Sequence, residues 1–256
     1  MNRRVVVAGS SVTASQLKDL FRQIEDGSLG FDQMQDFLDR RNPFQTNVGR
    51  AIEILGESKV ITKKQSAEVF DYGRVDSFPN EVRYREERLR DCARSNKEGY
   101  SDYFLHYGLP LSLRQQRTIV AADPNNPSYF NDSELWWMDK SEDWWAKSQP
   151  EPGYYLIDLK SRYHSNDWEK QSQMIASSLG GGRERADERV FSQALIAARH
   201  LGYKLTDERL SHWGMLNSRN NRVWVSFYRG KIGIHACPMT GSDLSIGVCL
   251  SHKFDI

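Results

Sequence analysis

The chain has 256 residues with 35 basic and 34 acidic side chains, so its formal charge of +1 gives no global pull toward nucleic acid or an anionic membrane. Hydrophobic residues make up 39% and charged residues 27%, the balance of a globular chain with a sizeable core, and no apolar run approaches the roughly 20 residues of a membrane span. Three cysteines without framework spacing suggest free thiols in a reducing compartment, hence a cytoplasmic protein, and the apolar run at 5–8 is too short for a signal-peptide core.

Thr13 and Gln16 have capping-box spacing, in which each side chain satisfies an orphan backbone N–H. Leu17, Leu20, Phe21 and Ile24 then recur at helical intervals. Asp26-Gly27 breaks the pattern, and Phe31, Met34, Phe37 and Leu38 form a second apolar face. This spacing predicts a helical hairpin over 13–41. Val48, Ile52 and Leu55 predict a third helix stopped by Gly56, and Thr62 with Gln65 repeats the capping pattern. A DNA-binding helix-turn-helix would need a recognition helix right after the one opened by Thr62. Phe78-Pro79 intervenes instead, so 1–78 reads as a plain helical region.

The middle segment, 79–150, is mixed. Arginines and carboxylates alternate over 80–94, which predicts a solvated helix laced with ion pairs whose buried edge is Val82, Leu89 and Cys92. A strand is expected over 103–107, the basic Arg114 and Arg117 follow, and 123–127 is a turn cluster. A helix is expected over 133–147, closed by Pro150 and Pro152. On its wheel Trp137 and Trp144 superpose, with Trp136 and Trp145 flanking them. Exposed rings of this kind stack on sugars or bases, but Asp139, Glu142 and Asp143 are the wrong neighbours for nucleic acid, so an anchoring joint is the expected role.

The C-terminal segment, 151–256, predicts an α+β domain. A strand over 153–159 precedes a helix from Trp168 to about Gly180 and a core helix over 184–200. A two-residue turn at Arg229-Gly230 sets Phe227 opposite Ile232, Val225 opposite Ile234 and Val223 opposite Ala236, with all six on one face. A loop at 238–242 then extends this hairpin into an antiparallel meander over 222–250, with Leu244, Ile246 and Val248 against Ala236, Ile234 and Ile232. The meander packs against the helices.

The other face of that sheet offers Trp224, Tyr228, His235 and Ser245 as a polar contact surface. His235, Cys237 and Asp243 would be the centre of a thiol- or metal-dependent enzyme, although side chains two apart on a strand exceed hydrogen-bond distance. No C-x-x-C or H-E-x-x-H pattern supplies a metal set, so no metal and no cofactor is expected. The glycines at 180–182 read as a link between helices, and 5–11 lacks the glycine spacing of a nucleotide-binding loop. His164, His200 and His212 read as ordinary histidines.

The stretches 111–117, 150–156, Glu184-Arg185-Ala186, His212-Trp213-Gly214 and 247–254 resemble a family of hypothetical proteins found in Parcubacteria-type candidate-phylum bacteria. The resemblance covers mainly 110–256 and implies a bacterial origin. The functional reading is a non-enzymatic binding or interaction protein, with a protein partner on the polar sheet face and no membrane. The alternative is a nucleic-acid-associated factor using the N-terminal helices with Arg114 and Arg117, and the third is the enzyme at His235, Cys237 and Asp243.

Overall fold

The computed structural model describes residues 6–7, 10–11, 14–28, 30, 46–123, 125–131, 135–164, 166, 168–177, 182–206, 209–216, 221–237 and 246–255; for 6–17, 213–216 and 237 it describes the backbone alone. Contacts divide the chain into two units, 1–45 and 46–256. In the first, strands β1 (Val6–Val7) and β2 (Ser10–Ser11) pair antiparallel, and helix α1 (Ala14–Glu25) follows as the spacing predicts. The Asp26 carboxylate then accepts from the Ser28 N–H at 3.0 Å. The expected second arm at Phe31, Met34, Phe37 and Leu38 lies outside the described residues.

The second unit is α+β. Its helices are α2 (Val48–Leu55), α3 (Lys63–Val69), α4 (Glu86–Lys97), α5 (Leu113–Ala122), α6 (Asp143–Ala146), α7 (Trp168–Ser177) and α8 (Glu188–His200). Local chemistry sets their starts: Asn47 caps α2, Asp187 caps α8, and capping boxes Thr62/Gln65 and Ser112/Gln115 open α3 and α5. Because Asp187 is the cap, α8 begins at 188 rather than 184, and 183–185 is a strand. In α4, Arg90 pairs with Glu86 and Arg94 with Asp91 along the solvated face, while Leu89 and Cys92 are buried. Among the described residues no helix is long and apolar enough to cross a membrane.

A five-stranded sheet has the order β3 (Val60–Ile61), β4 (Tyr103–Gly108), β6 (Gly153–Arg162), β11 (Val248–His252), β7 (Arg183–Arg185). A four-stranded sheet has the order β5 (Tyr129–Phe130), β10 (Lys231–Cys237), β9 (Arg222–Tyr228), β8 (Arg209–Leu216). Helix α8 touches β3, β4 and β6 of the first sheet and β8 of the second, so Val190 to Ala198 are all buried. His212 also ties the two sheets together: its Nε2–H donates to Ala186 O at 2.7 Å and its Nδ1 accepts from the Cys249 N–H at 3.1 Å. It is a satisfied core histidine, and burial lowers it to about 4.

The β9–β10 hairpin has the predicted register, Phe227 on Ile232, Val225 on Ile234 and Val223 on Ala236. Arg229 and Gly230 both take positive φ, 48° and 88°, as a type I′ turn requires. Glycine is obligatory at 230 for a second reason, since a Cβ there would lie 2.2 Å from Pro127 O. The continuation of the meander is corrected. Residues 248–252 do not pair with β10; they form the strand between β6 and β7, and the free side of β9 is taken by β8. Alternation alone does not name a partner. Every residue of β11 is buried, which marks a strand covered on both faces rather than the outer strand of a one-sided meander.

The predicted helix over 133–147 is also corrected. Asp139 is extended (φ −65°, ψ 149°) and its carboxylate accepts from the Ser141 N–H, so the chain makes two single 3-10 turns, Trp136–Met138 and Lys140–Glu142, before α6. The wheel is broken there: Trp137 and Trp145 are buried while Trp144 is exposed. Each buried indole gains roughly 5 kcal/mol of transfer free energy. The anchoring role expected of this segment has a specific form at the sheet edge. The outward carbonyls of the turn residue Gly230 and of Ile232 and Ile234 in β10 accept in succession from Tyr129 N (2.9 Å), Asn131 N (2.7 Å) and Trp136 Nε1 (3.1 Å).

Candidate binding face of the four-stranded sheet

Period-2 alternation separates the two faces of this sheet. Leu210, His212, Val223, Val225, Phe227, Ile232, Ile234 and Phe130 point into the core and are buried. The register then fixes the other face in rows across the strands. The first row is Arg209, Tyr228, Lys231 and Tyr129, all four exposed, with the two tyrosines 49% and 53% accessible. Arg229 lies over the Tyr228 ring, 5.2 Å from its centroid. The second row is small: Ser211, Ser226 and Gly233. The third brings Trp224 opposite His235, whose rings stack with centroids 4.1 Å apart and planes 22° apart.

The small row accommodates the aromatic one. His235 Nε2 lies 2.8 Å from Ser226 Oγ, and a Cβ at Gly233 would come within 2.3 Å of that same nitrogen. Glycine at 233 is therefore what lets the imidazole lean across the strand. On the β8 side the middle row is closed, because Ser211 Oγ accepts from Gly247 N–H and Ser211 O accepts from Ser161 Oγ. Beyond it, the guanidinium groups of Arg222 and Arg185 both stack on Trp168, at 3.9 and 3.5 Å from the ring centroid. Burial, and then Arg222, lower Arg185 to about 10, which leaves it charged at neutral pH. The open part of the face is therefore the first row with the Trp224–His235 stack. None of the strand positions that face outward in these rows is a carboxylate.

Trp224, Tyr228 and His235 thus share one surface, while Ser245 lies outside the described residues. Of the trio His235, Cys237 and Asp243, only His235 has a described side chain, and it is engaged with Trp224 and Ser226. Among the described residues no group of three or more His, Cys, Asp or Glu is arranged to hold a metal ion. Arg114 is half-buried rather than a free surface cation. Its Nη1 pairs with Asp143 at 2.5 Å and its Nη2 donates to Trp137 O and Asp139 O, so it clamps the tryptophan turns to α5. Arg117, one turn on, is half-buried and engaged.

Sequence reasoning missed Arg209, Lys231 and Tyr129 as members of this face. Lys231 could have been found by counting out the predicted hairpin. Tyr129 reaches the sheet through a parallel pairing to a strand about a hundred residues on, which no local pattern announces. No protein-family model matches the chain, and neither does any curated protein or solved structure.

Proposed function

We propose that the chain is a non-enzymatic binding protein that holds single-stranded nucleic acid on the outer face of β8, β9, β10 and β5. The observation that carries this reading is the row Arg209, Tyr228, Lys231, Tyr129: exposed rings alternating with cations on a rigid sheet whose other face is core. Splayed bases stack on such rings irrespective of sequence, and the cations meet the phosphates. The Trp224–His235 stack lies four residues along the strands from Tyr228 and Lys231, about 13 Å away beyond the small middle row, and extends the aromatic surface in that direction. In this reading the nucleic acid lies on the sheet rather than on the N-terminal helices and Arg114.

The test is fluorescence anisotropy with labelled oligouridine and oligothymidine. Binding is expected to weaken with salt at a log–log slope of about −2, as for two or three neutralised phosphates. Tyr228→Ala and Tyr129→Ala are expected to weaken it about 5- to 100-fold each, the range for one stacked base. Absence of binding at about 50 mM salt, where the electrostatic contribution is large, would reject the reading. So would affinity unchanged in both variants. Loss of a captured protein in the same variants, without oligonucleotide binding, would keep the face and replace the ligand with a protein partner.

A further inference from the structure

A separate pocket of about 140 Å³ opens between α4, β4, β7 and β11, and its wall is mostly polar. Arg88, Cys92 and Ser95 come from one face of α4, Tyr103 from β4, Arg183 from β7 and His252 from β11. Three buried polar atoms of this wall have no hydrogen-bond partner among the described residues: Arg88 Nε, Tyr103 Oη and His252 Nδ1. Tyr103 and His252 are only 1% and 5% exposed. An unmade bond at one such atom costs about 1–3 kcal/mol, so three around one small pocket call for an occupant.

The charges say which kind. Arg88 shares its Nη2 with Asp255 at 3.2 Å, whereas Arg183 has no ion pair among the described residues. Among the described residues the wall has one carboxylate, Asp91, and it is turned to Arg94 at 3.4 Å. Asp158, nearby, has both oxygens occupied, Oδ1 by the N–H groups of Asp102 and Lys160 and Oδ2 by Arg162. Burial, then Arg88 and Arg183, push His252 down to about 4, so the imidazole is neutral in an electropositive setting. Burial raises the Cys92 thiol, which keeps it protonated and unsuited to metal or nucleophilic chemistry.

We infer that this pocket is a binding site for a phosphate-type oxyanion, held by Arg183 and Arg88 with the Tyr103 hydroxyl as a neutral donor. Guanidinium forks suit such an anion, and the volume admits inorganic phosphate or the phosphate end of a monoester whose remainder projects from the mouth. The site is independent of the sheet face and does not rest on the function proposed for it.

The test uses the full chain at neutral pH and constant ionic strength, comparing sodium phosphate with sodium chloride by calorimetric titration and thermal melting. Phosphate is expected to give a saturable heat and to raise Tm by about 2–4 °C when present well above its dissociation constant. Arg183→Gln, a half-buried position, should abolish both, and Tyr103→Phe, which keeps the ring packed on His252, should weaken binding about fivefold, as for one lost neutral hydrogen bond. A nucleoside monophosphate run in parallel distinguishes free phosphate from a monoester as the natural form. No heat with either, or an equal Tm rise in Arg183→Gln, overturns the inference, because the rise would then be a general salt effect.

Discussion

The indole Nε1–H of Trp136 donates to the backbone carbonyl of Ile234, 3.1 Å away and 98 residues on in sequence. That bond continues along β10 the edge pairing that β5 begins and runs out of, because β5 spans only Tyr129–Phe130. A side chain thus stands in for a strand. The edge it covers belongs to the sheet that carries the candidate binding face, so the tryptophan segment acts on that face by shielding the part of β10 that β5 leaves unpaired from other chains.

Trp136→Phe keeps most of the ring packing against Trp145 but removes the donor. The expected cost is about 1 kcal/mol in urea unfolding, the usual net value of one hydrogen bond. The variant should also self-associate more readily at high concentration, since the Ile234 carbonyl becomes available to a foreign strand. A wild-type midpoint together with unchanged sedimentation would mean that water replaces the indole without consequence.

What was readable in the sequence was mainly local. The hairpin at Arg229-Gly230 follows from turn chemistry and alternation, and the capping box at Thr62 from spacing alone. What was not readable depended on partners distant in the chain. Residues 248–252 alternate acceptably for a meander, yet they are drawn between β6 and β7, where both faces are covered. The side of β10 expected to receive them is taken by Tyr129–Phe130, and the strand at Arg209–Leu216, which pairs with β9 from the other side, begins just past residues with no clear strand period. Arg114 looked like a surface cation because its three acceptors come from a turn that forms only once Asp139 has broken the expected helix.

His106, in the middle of β4, is fully buried, and neither ring nitrogen has a partner among the described residues. Burial pushes it down to about 3, against about 6.5 in the unfolded chain. Below pH 6.5 the unfolded state takes up a proton that the native state refuses, so stability falls as pH drops from about 6.5 toward the folded value. Between pH 7.5 and pH 5 the loss from this one residue is about 2 kcal/mol. His106→Leu should therefore gain on the wild type by about that much more at pH 5 than at pH 7.5, as measured by urea unfolding at both values. A stability difference independent of pH would show that the imidazole titrates in the fold as it does in the unfolded chain.

Glu188 has the opposite sign. It opens α8 one residue after the Asp187 cap, is 5% exposed, and its Oε1 has no partner among the described residues. Burial, reinforced by Asp187, raises it to about 7. Above pH 4.5 the unfolded chain releases a proton that the native state retains, so this group subtracts stability as pH rises from about 4.5 through 7. Its slope opposes that of the buried histidines, and the two partly cancel near pH 5–6, which can hide both in a single wild-type profile. Glu188→Gln keeps the shape and removes the titration. It should be more stable than wild type at pH 8 by an amount on the order of 2 kcal/mol greater than at pH 5. If the variant instead loses stability at pH 8, the carboxylate is ionised in the native protein and is held at the start of α8 by the helix dipole.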